Sequence, residues 1–233
     1  DNPFMSHAFL AAMEDSGSVG PGSGWQAAPI TVADQAGTMH AALPAYLKMH
    51  SQGEYVFDQG WADAYQRAGG RYYPKLQIAA PFTPATGPRL LLEDEAFAAP
   101  LLRAAEQVCH EHGLSGAHAT FIAPEQVPLF EDAGWLMRSD LQFHWENRDY
   151  ADFDAFLDTL ESRKRKNLRK ERAKAQEAVE IRHLTGADLT EEVWDAFWEF
   201  YQDTGMRKWG TPYLTREAFT LLGERMGEKI LLI

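Results

Sequence analysis

The chain has 233 residues, 45% of them hydrophobic and 12% aromatic, and a formal net charge of -12. That profile excludes an intrinsically disordered protein, and the length allows one large domain or two of ordinary size. No apolar run approaches the roughly 20 residues of a spanning helix. The start DNPFMSHAFL has no basic region followed by an apolar one, and the lone Cys109 rules out an internal disulfide framework, so a cytoplasmic, reducing location without membrane insertion is expected.

In chain order, Phe4 to Glu14 carries apolar residues at helical spacing and ends in the Gly/Ser/Pro loop SGSVGPGSG. From Trp25 the period changes: WQAAPITVAD, a turn at QAG and TMHAALPAYLKMH predict two strands joined as a hairpin, with Pro29 and Pro44 confined to edges or ends. A helix is predicted over 59–68, a strand at YPKLQIAA, and a loop at PFTPATGPR, where prolines and glycine sustain neither ladder. The helix expected from Glu95 to His112 has Phe97, Leu101, Leu102, Ala105 and Val108 on one side and Gly113 at its end, with Cys109 as a small core residue. GAHATFIAP then predicts a short buried strand, EQVPLFEDAG a helix and WLMRSDLQFHW an alternating strand. After a break near 147–150 come helix YADFDAFLDTLES, a basic run, strand VEIRHL, helices LTEEVWDAFWEFYQDT and LTREAFTLLGERM, and strand KILLI. Helices alternating with strands predict an α/β fold of the α+β, mixed-sheet kind. Trp194, Phe197, Trp198 and Tyr201, at i, i+3, i+4 and i+7, predict a core stripe.

The basic run SRKRKNLRKERAK, residues 162–174, holds eight Lys or Arg and one Glu. It carries +7, so the remainder of the chain carries -19, and whatever the run binds is not attracted by the molecule as a whole. As a helix it places Arg163, Lys166, Lys170 and Lys174 on one side and Arg165, Arg169 and Arg172 on a neighbouring one. Its repeated like charges each cost a few tenths of a kcal/mol, about what one i,i+4 pair is worth. Either the acidic remainder neutralises a solvated face, or arginine forks and lysines bind a phosphate-bearing partner.

Three other stretches bear on chemistry. GEYVFDQGWADAY sets Glu54, Tyr55, Asp58, Trp61, Asp63 and Tyr65 close together. Aromatics beside carboxylates suit an amine-bearing ligand, with Asp58 or Asp63 as candidate general base; the alternative is that Tyr55, Phe57 and Trp61 are core and the acids surface. In QFHWENR, His144 shares a predicted strand face with Gln142 and Glu146 and is a third candidate base. Gly87 and Arg89 permit a close backbone approach and an anion contact, with Tyr72, Tyr73 and Lys75 just ahead of them. HEHG at 110–113 lacks a zinc spacing, since i and i+2 point to different helix faces, and no metal site is expected.

LESRKRKNLRKERAKAQEAVEIRHL is similar to the segment of FemABX-type aminoacyl transferases in which a Ser or Lys, a Lys or Arg, and then Arg-x-Asn-hydrophobic-Arg/Lys-Lys/Arg precede a short strand. NPFMSHAFLAAMEDSG, LPAYLKMHSQGEYVFDQGWADAY, YYPKLQIAAPFTPATGPRLL, QFHWENRDYADFDAFL and KWGTPYLTREAF extend the likeness along the chain, which resembles the FemAB-like peptidoglycan biosynthesis/recognition branch of the GNAT acyltransferase superfamily. The resemblance implies a GNAT-like domain over 1–148 and, over 149–233, the basic helix and the start of a second GNAT-like domain whose template continues with strands beyond KILLI. It implies that Arg165, Asn167, Arg169 and Lys170, with Lys166 beside them, contact the phosphates of a nucleotide-linked muropeptide, while a helical arm can meet tRNA. The family's Arg-Gly-Pro turn has the order Gly87-Pro88-Arg89 here, which bears on Arg89 as an anion contact. The substrate-facing set is then Arg89, Tyr55, Trp61, Tyr73 and Lys75 with the basic helix.

The leading expectation is an N-acyltransferase moving an aminoacyl or acyl group to an amine, with aminoacyl-tRNA or acyl-coenzyme A as donor and no cofactor held by this portion. The Arg/Gln-x-x-Gly-x-Gly/Ala loop for a coenzyme A pyrophosphate is missing. The alternatives are a binding module for an anionic cell-wall precursor and a tRNA binder. Neither the acyl donor nor the oligomeric state is legible.

Overall fold

Pro29 and Pro44 decide how the first two predicted strands are used. In the computed structural model, which describes residues 2–56, 58–208 and 210–233, each strand is cut in two at its proline and its halves enter different sheets. A proline has no N–H to give a ladder, so the cut falls where pairing lapses anyway.

The elements are α1 His7–Asp15, β1 Trp25–Ala27, β2 Ile30–Ala33, β3 Met39–Leu43, β4 Ala45–Lys48, α2 Gln59–Arg67, β5 Lys75–Ile78, β6 Leu91–Leu92, α3 Ala98–His112, β7 Ala117–Ala119, α4 Val127–Asp132, α5 Phe153–Asp158, α6 Ser162–Gln176, α7 Glu191–Lys208 and α8 Arg216–Met226. One sheet has the order β1-β4-β5-β7, antiparallel except for the parallel pair β5/β7; the other, β2-β3-β6, is antiparallel. The chain is therefore a mixed α/β protein with a mixed sheet.

It divides into two compact units, Asp1–Met137 with Thr185–Ile230, and Arg138–Leu184 with Leu231–Ile233. The predicted boundary at 148/149 falls inside the second unit. Residues 185–230 go with the first because α8 packs on α1: Ala218 shares a cluster with Phe9, Ala12 and Met13, and the Thr215 hydroxyl donates to the Ser16 carbonyl at 3.0 Å.

In the first unit the ladder register sorts side chains by face. Leu47, Leu76, Ile78, Ala117 and Ala119 point one way, into a core with Leu101, Leu102 and Ala105 of α3 and Phe130 of α4. Trp25, Tyr46, Lys48, Lys75 and Gln77 point the other way, and Trp25 and Tyr46 pack there with Phe9 and Met13 of α1. Cys109 is buried in α3, as expected, and Gly113 closes that helix in the left-handed conformation. The aromatic stripe of α7 packs on Phe219 of α8, with Trp194 buried.

Some expectations change. The first helix starts at His7, because the Ser6 hydroxyl accepts from the Phe9 N–H and caps it after a short turn of 3-10 helix at Pro3–Met5. WLMRSDLQFHW is irregular backbone, with Leu136, Leu141, Phe143 and Trp145 exposed: alternation marks a strand only where a partner completes its ladder, and none does so among the described residues. VEIRHL and KILLI are likewise not full strands and meet in one antiparallel bridge, Leu184 with Leu232.

In the second unit the basic run forms α6 as predicted. Leu157 of α5 is buried, and Trp145, Tyr150, Phe153 and Phe156 form an aromatic cluster beside it. Among the described residues no helix is long and apolar enough to cross a membrane.

Candidate functional site: a buried ionic tetrad

Lys48 and Lys75 are register partners on adjacent antiparallel strands, so their side chains leave the sheet side by side on the same face. Both are fully buried. Two ammonium groups can occupy such a place only if carboxylates enter with them, because an unpaired buried charge costs several kcal/mol. The segment after β4 folds back over the strands and supplies them. The Lys75 ammonium lies 2.7 Å from Glu54 Oε2 and 2.6 Å from Asp58 Oδ2, and the Lys48 ammonium 3.8 Å from Glu54 Oε1. Lys48 also donates to the Gln52 carbonyl at 3.1 Å and sits 3.5 Å from the centre of the Trp25 ring. The close approach of this segment requires Gly53, at φ +78°: a Cβ there would meet the Phe82 ring at 2.8 Å.

The tetrad reaches the surface through tyrosine. The Tyr72 hydroxyl, on a half-buried side chain, donates to Asp58 Oδ2 at 2.9 Å. Tyr72, Asp58, Lys75 and Glu54 thus form a continuous hydrogen-bonded chain that runs from a partly exposed phenol into the interior. Burial pulls the Lys48 ammonium down to about 7, with Glu54 opposing and Lys75 adding to the shift. Burial pushes the Glu54 carboxyl upward against the pull of Lys75, and burial and then Asp58 push the Tyr72 phenol upward. Burial thus brings the Lys48 proton into the neutral range and keeps the Tyr72 phenol protonated.

A pH signature follows. Free in the unfolded chain, a lysine titrates near 10.4, above the folded value of Lys48. From about 7 to about 10.4 the unfolded chain binds the extra proton, so stability attributable to Lys48 rises with pH, at up to about 1.4 kcal/mol per pH unit. Glu54, raised in the fold, acts oppositely at lower pH, where stability falls as pH rises towards its folded value. Urea unfolding of the parent and of Lys48→Met across pH 6 to 10 checks this: the parent gains stability over that span relative to the variant, and parallel curves would refute the depressed ammonium.

The sequence-predicted residues distribute as follows. Asp58 and Lys75 meet in the tetrad. Tyr73 adjoins it, its ring 5.0 Å from that of Tyr72 and its hydroxyl 2.7 Å from Ser51 Oγ. Trp61 and Asp63 are exposed on α2, and Tyr55 is half exposed at a strained φ of +57°. Phe57 lies outside the described residues, as does Trp209. Arg89 is fully buried and donates to the carbonyls of Thr120, Ala85 and Pro88, so its guanidinium braces the loop and is not open to direct contact with an anion; burial brings it down to about 10. His144 sits in the irregular segment, exposed, with its ring nitrogen 2.8 Å from Gln142 Oε1. The sequence does not single out Lys48, and it shows Glu54 and Tyr72 only as neighbours of other candidates. The available signal was a lysine two residues after Tyr46 on a strand otherwise apolar.

In the second unit, α6 has two unlike sides. Arg165 pairs with Asp158 at 2.7 Å, Arg169 with Asp154 at 2.9 Å, and the Arg172 guanidinium lies 4.4 Å from the Phe153 ring, so this side is turned to α5. Arg163, Lys166, Lys170 and Lys174 are exposed and carry no ion pair among the described residues; Asn167 is exposed beside them. The run is thus partly neutralised and partly open.

Among the described residues no group of three or more His, Cys, Asp or Glu side chains could hold a metal ion. No curated protein and no solved structure matches the chain. The family comparison matches residues 1–233, the whole chain, and the family it identifies is described as peptidoglycan biosynthesis/recognition. The chain belongs to the FemAB-like family.

Proposed function

We propose that the chain works as an N-acyltransferase of FemAB/GNAT type, moving an aminoacyl or acyl group from an activated ester or thioester to an amine of a peptidoglycan precursor. In this reading residues 1–148 supply a GNAT-like domain and 149–233 carry the basic helix. The observation that carries it is the chain Tyr72, Asp58, Lys75, Glu54, which offers a proton acceptor connected to the surface. An amine that attacks an acyl carbon forms the C–N bond while the C–O or C–S bond to the donor breaks, and it must lose a proton. Tyr72 oxygen takes that proton as the phenol passes its own to Asp58; Lys75 and Glu54 hold the Asp58 carboxylate in position. Tyr55, Trp61 and Tyr73 supply aromatic faces for an ammonium-bearing acceptor. In the second unit, and independently of the tetrad, Lys166 and Lys170 with Arg163 and Asn167 offer an open cationic face for phosphates, and Arg165 and Arg169 hold α6 to α5.

The open side of α6 favours a second reading, a module that binds an anionic cell-wall precursor without turnover. The test incubates the chain with a uridine-diphosphate muropeptide and either aminoacyl-tRNA or acyl-coenzyme A and follows the intact mass of the muropeptide. Its mass increases by one acyl group, and Tyr72→Phe slows the increase by about 10²- to 10⁴-fold, the usual range for a lost proton-transfer partner, with muropeptide affinity unchanged. Binding without mass gain transfers the case to the binding module. Absence of binding overturns both readings.

A further inference from the structure

A groove of about 860 Å³ lies in the first unit between the chain start and the loop before β6, lined by Asn2, Phe4, Met5, Thr86, Pro88 and Lys229 among others. Volumes of roughly 300 to 1,000 Å³ are those of small-molecule sites. Its walls are built. The Asn2 side chain donates to the Thr86 carbonyl at 3.0 Å and accepts from the Phe4 N–H at 3.0 Å, which ties the chain start to the loop. Gly87 leaves room for that tie, because a Cβ there would fall 2.0 Å from Asn2 Nδ2.

The charge in the lining of the groove has one sign. No Asp or Glu is in the lining, and Lys229 stands in it, exposed and without an ion pair among the described residues. One layer below is the buried Arg89, whose guanidinium contacts Met5 Sδ at 3.4 Å and otherwise meets backbone carbonyls. Carbonyl dipoles offset only part of the charge of a guanidinium that meets no carboxylate among the described residues, and because Arg89 is fully buried its field is screened less than that of a surface charge. Besides the polar Asn2, Ser6 and Thr86, the lining consists of the apolar Pro3, Phe4, Met5, Ala85, Pro88 and Leu91.

We propose that this groove is a binding site for an amphipathic anion, a carboxylate carried on an apolar body, with Lys229 as its direct partner and Arg89 supplying field from beneath. The ligand is separate from the tetrad's acceptor amine. Isothermal titration of the full chain with octanoate, octylamine and inorganic phosphate tests it. Octanoate binds more tightly than either of the others. Lys229→Glu and Thr86→Glu, both at exposed positions, each weaken octanoate at least tenfold and leave the melting temperature unchanged. Failure of octanoate to bind, equal binding of octylamine, phosphate binding as tightly as octanoate, or octanoate affinity unmoved by both variants would each overturn the site.

Discussion

Lys75→Met lowers the unfolding free energy by about 3 to 5 kcal/mol, the usual effect of removing one partner from a buried ion pair. For a chain of this size that is a fall in Tm of about 6 to 20 °C, taking roughly 2 to 4 °C per kcal/mol. The magnitude comes from what remains. Methionine fills the space, but Glu54 and Asp58 lose the ammonium that lies within 2.7 Å of both, and Glu54 is left with Lys48 at 3.8 Å. The triple variant Lys75→Met/Glu54→Gln/Asp58→Asn removes the two stranded carboxylates, leaves Lys48 further depressed without Glu54, and recovers part of the loss. Calorimetry of the parent and the two variants checks both statements. A Lys75→Met chain that melts with the parent would mean that the four charges are not mutually compensated in the interior.

Reversal of Lys166 and Lys170 to Glu weakens muropeptide binding at least a hundredfold, equivalent to about 2.8 kcal/mol, and leaves the helix content unchanged. Both lysines are exposed on the side of α6 that faces no carboxylate of α5, so their reversal removes two attractions and adds two repulsions without disturbing a contact. Arg165→Glu with Arg169→Glu behaves differently. It places glutamates against Asp158 and Asp154, loosens α6 from α5, and raises hydrogen exchange there. Titration of both double variants at two salt concentrations separates them. Engagement of one diphosphate gives a shallow salt dependence, whereas a backbone-tracking nucleic-acid contact gives a steep one. Undiminished affinity in the lysine variant would remove α6 from the binding surface.

Local patterns were legible where a stretch carries its own explanation. Gly113 ends α3, Asp34 and Gly37 close the hairpin, and the like charges of 162–174 take helical form as expected. Pairing was less legible, because it depends on a second segment. The alternation in WLMRSDLQFHW reads as a strand in isolation, yet no ladder forms there among the described residues. Residue type alone singles out Asp58 as a candidate base and Lys75 as a substrate contact; the fold buries both, and Lys75 faces carboxylates of the chain itself. Lys48 and Glu54 joined them through the β4/β5 register and the return of the segment at Gly53, neither of which has a linear signature. The basic helix was legible in composition and illegible in orientation: only the acids of α5 show which of its two sides is spent within the fold.

The pairing of Lys48 with Lys75 has a consequence for how the chain finds its fold. Because successive strand residues face opposite ways, a slip of β4 by one residue would turn Leu47 towards the carboxylates of Glu54 and Asp58 and drive Lys48 into the leucine layer against α3. Apolar patterning alone penalises such an error by lost burial, whereas here each wrong alignment also strands an ammonium in hydrocarbon. The tetrad therefore sets strand alignment as well as charge balance, because a misaligned β4/β5 pair is disfavoured by electrostatics in addition to lost burial.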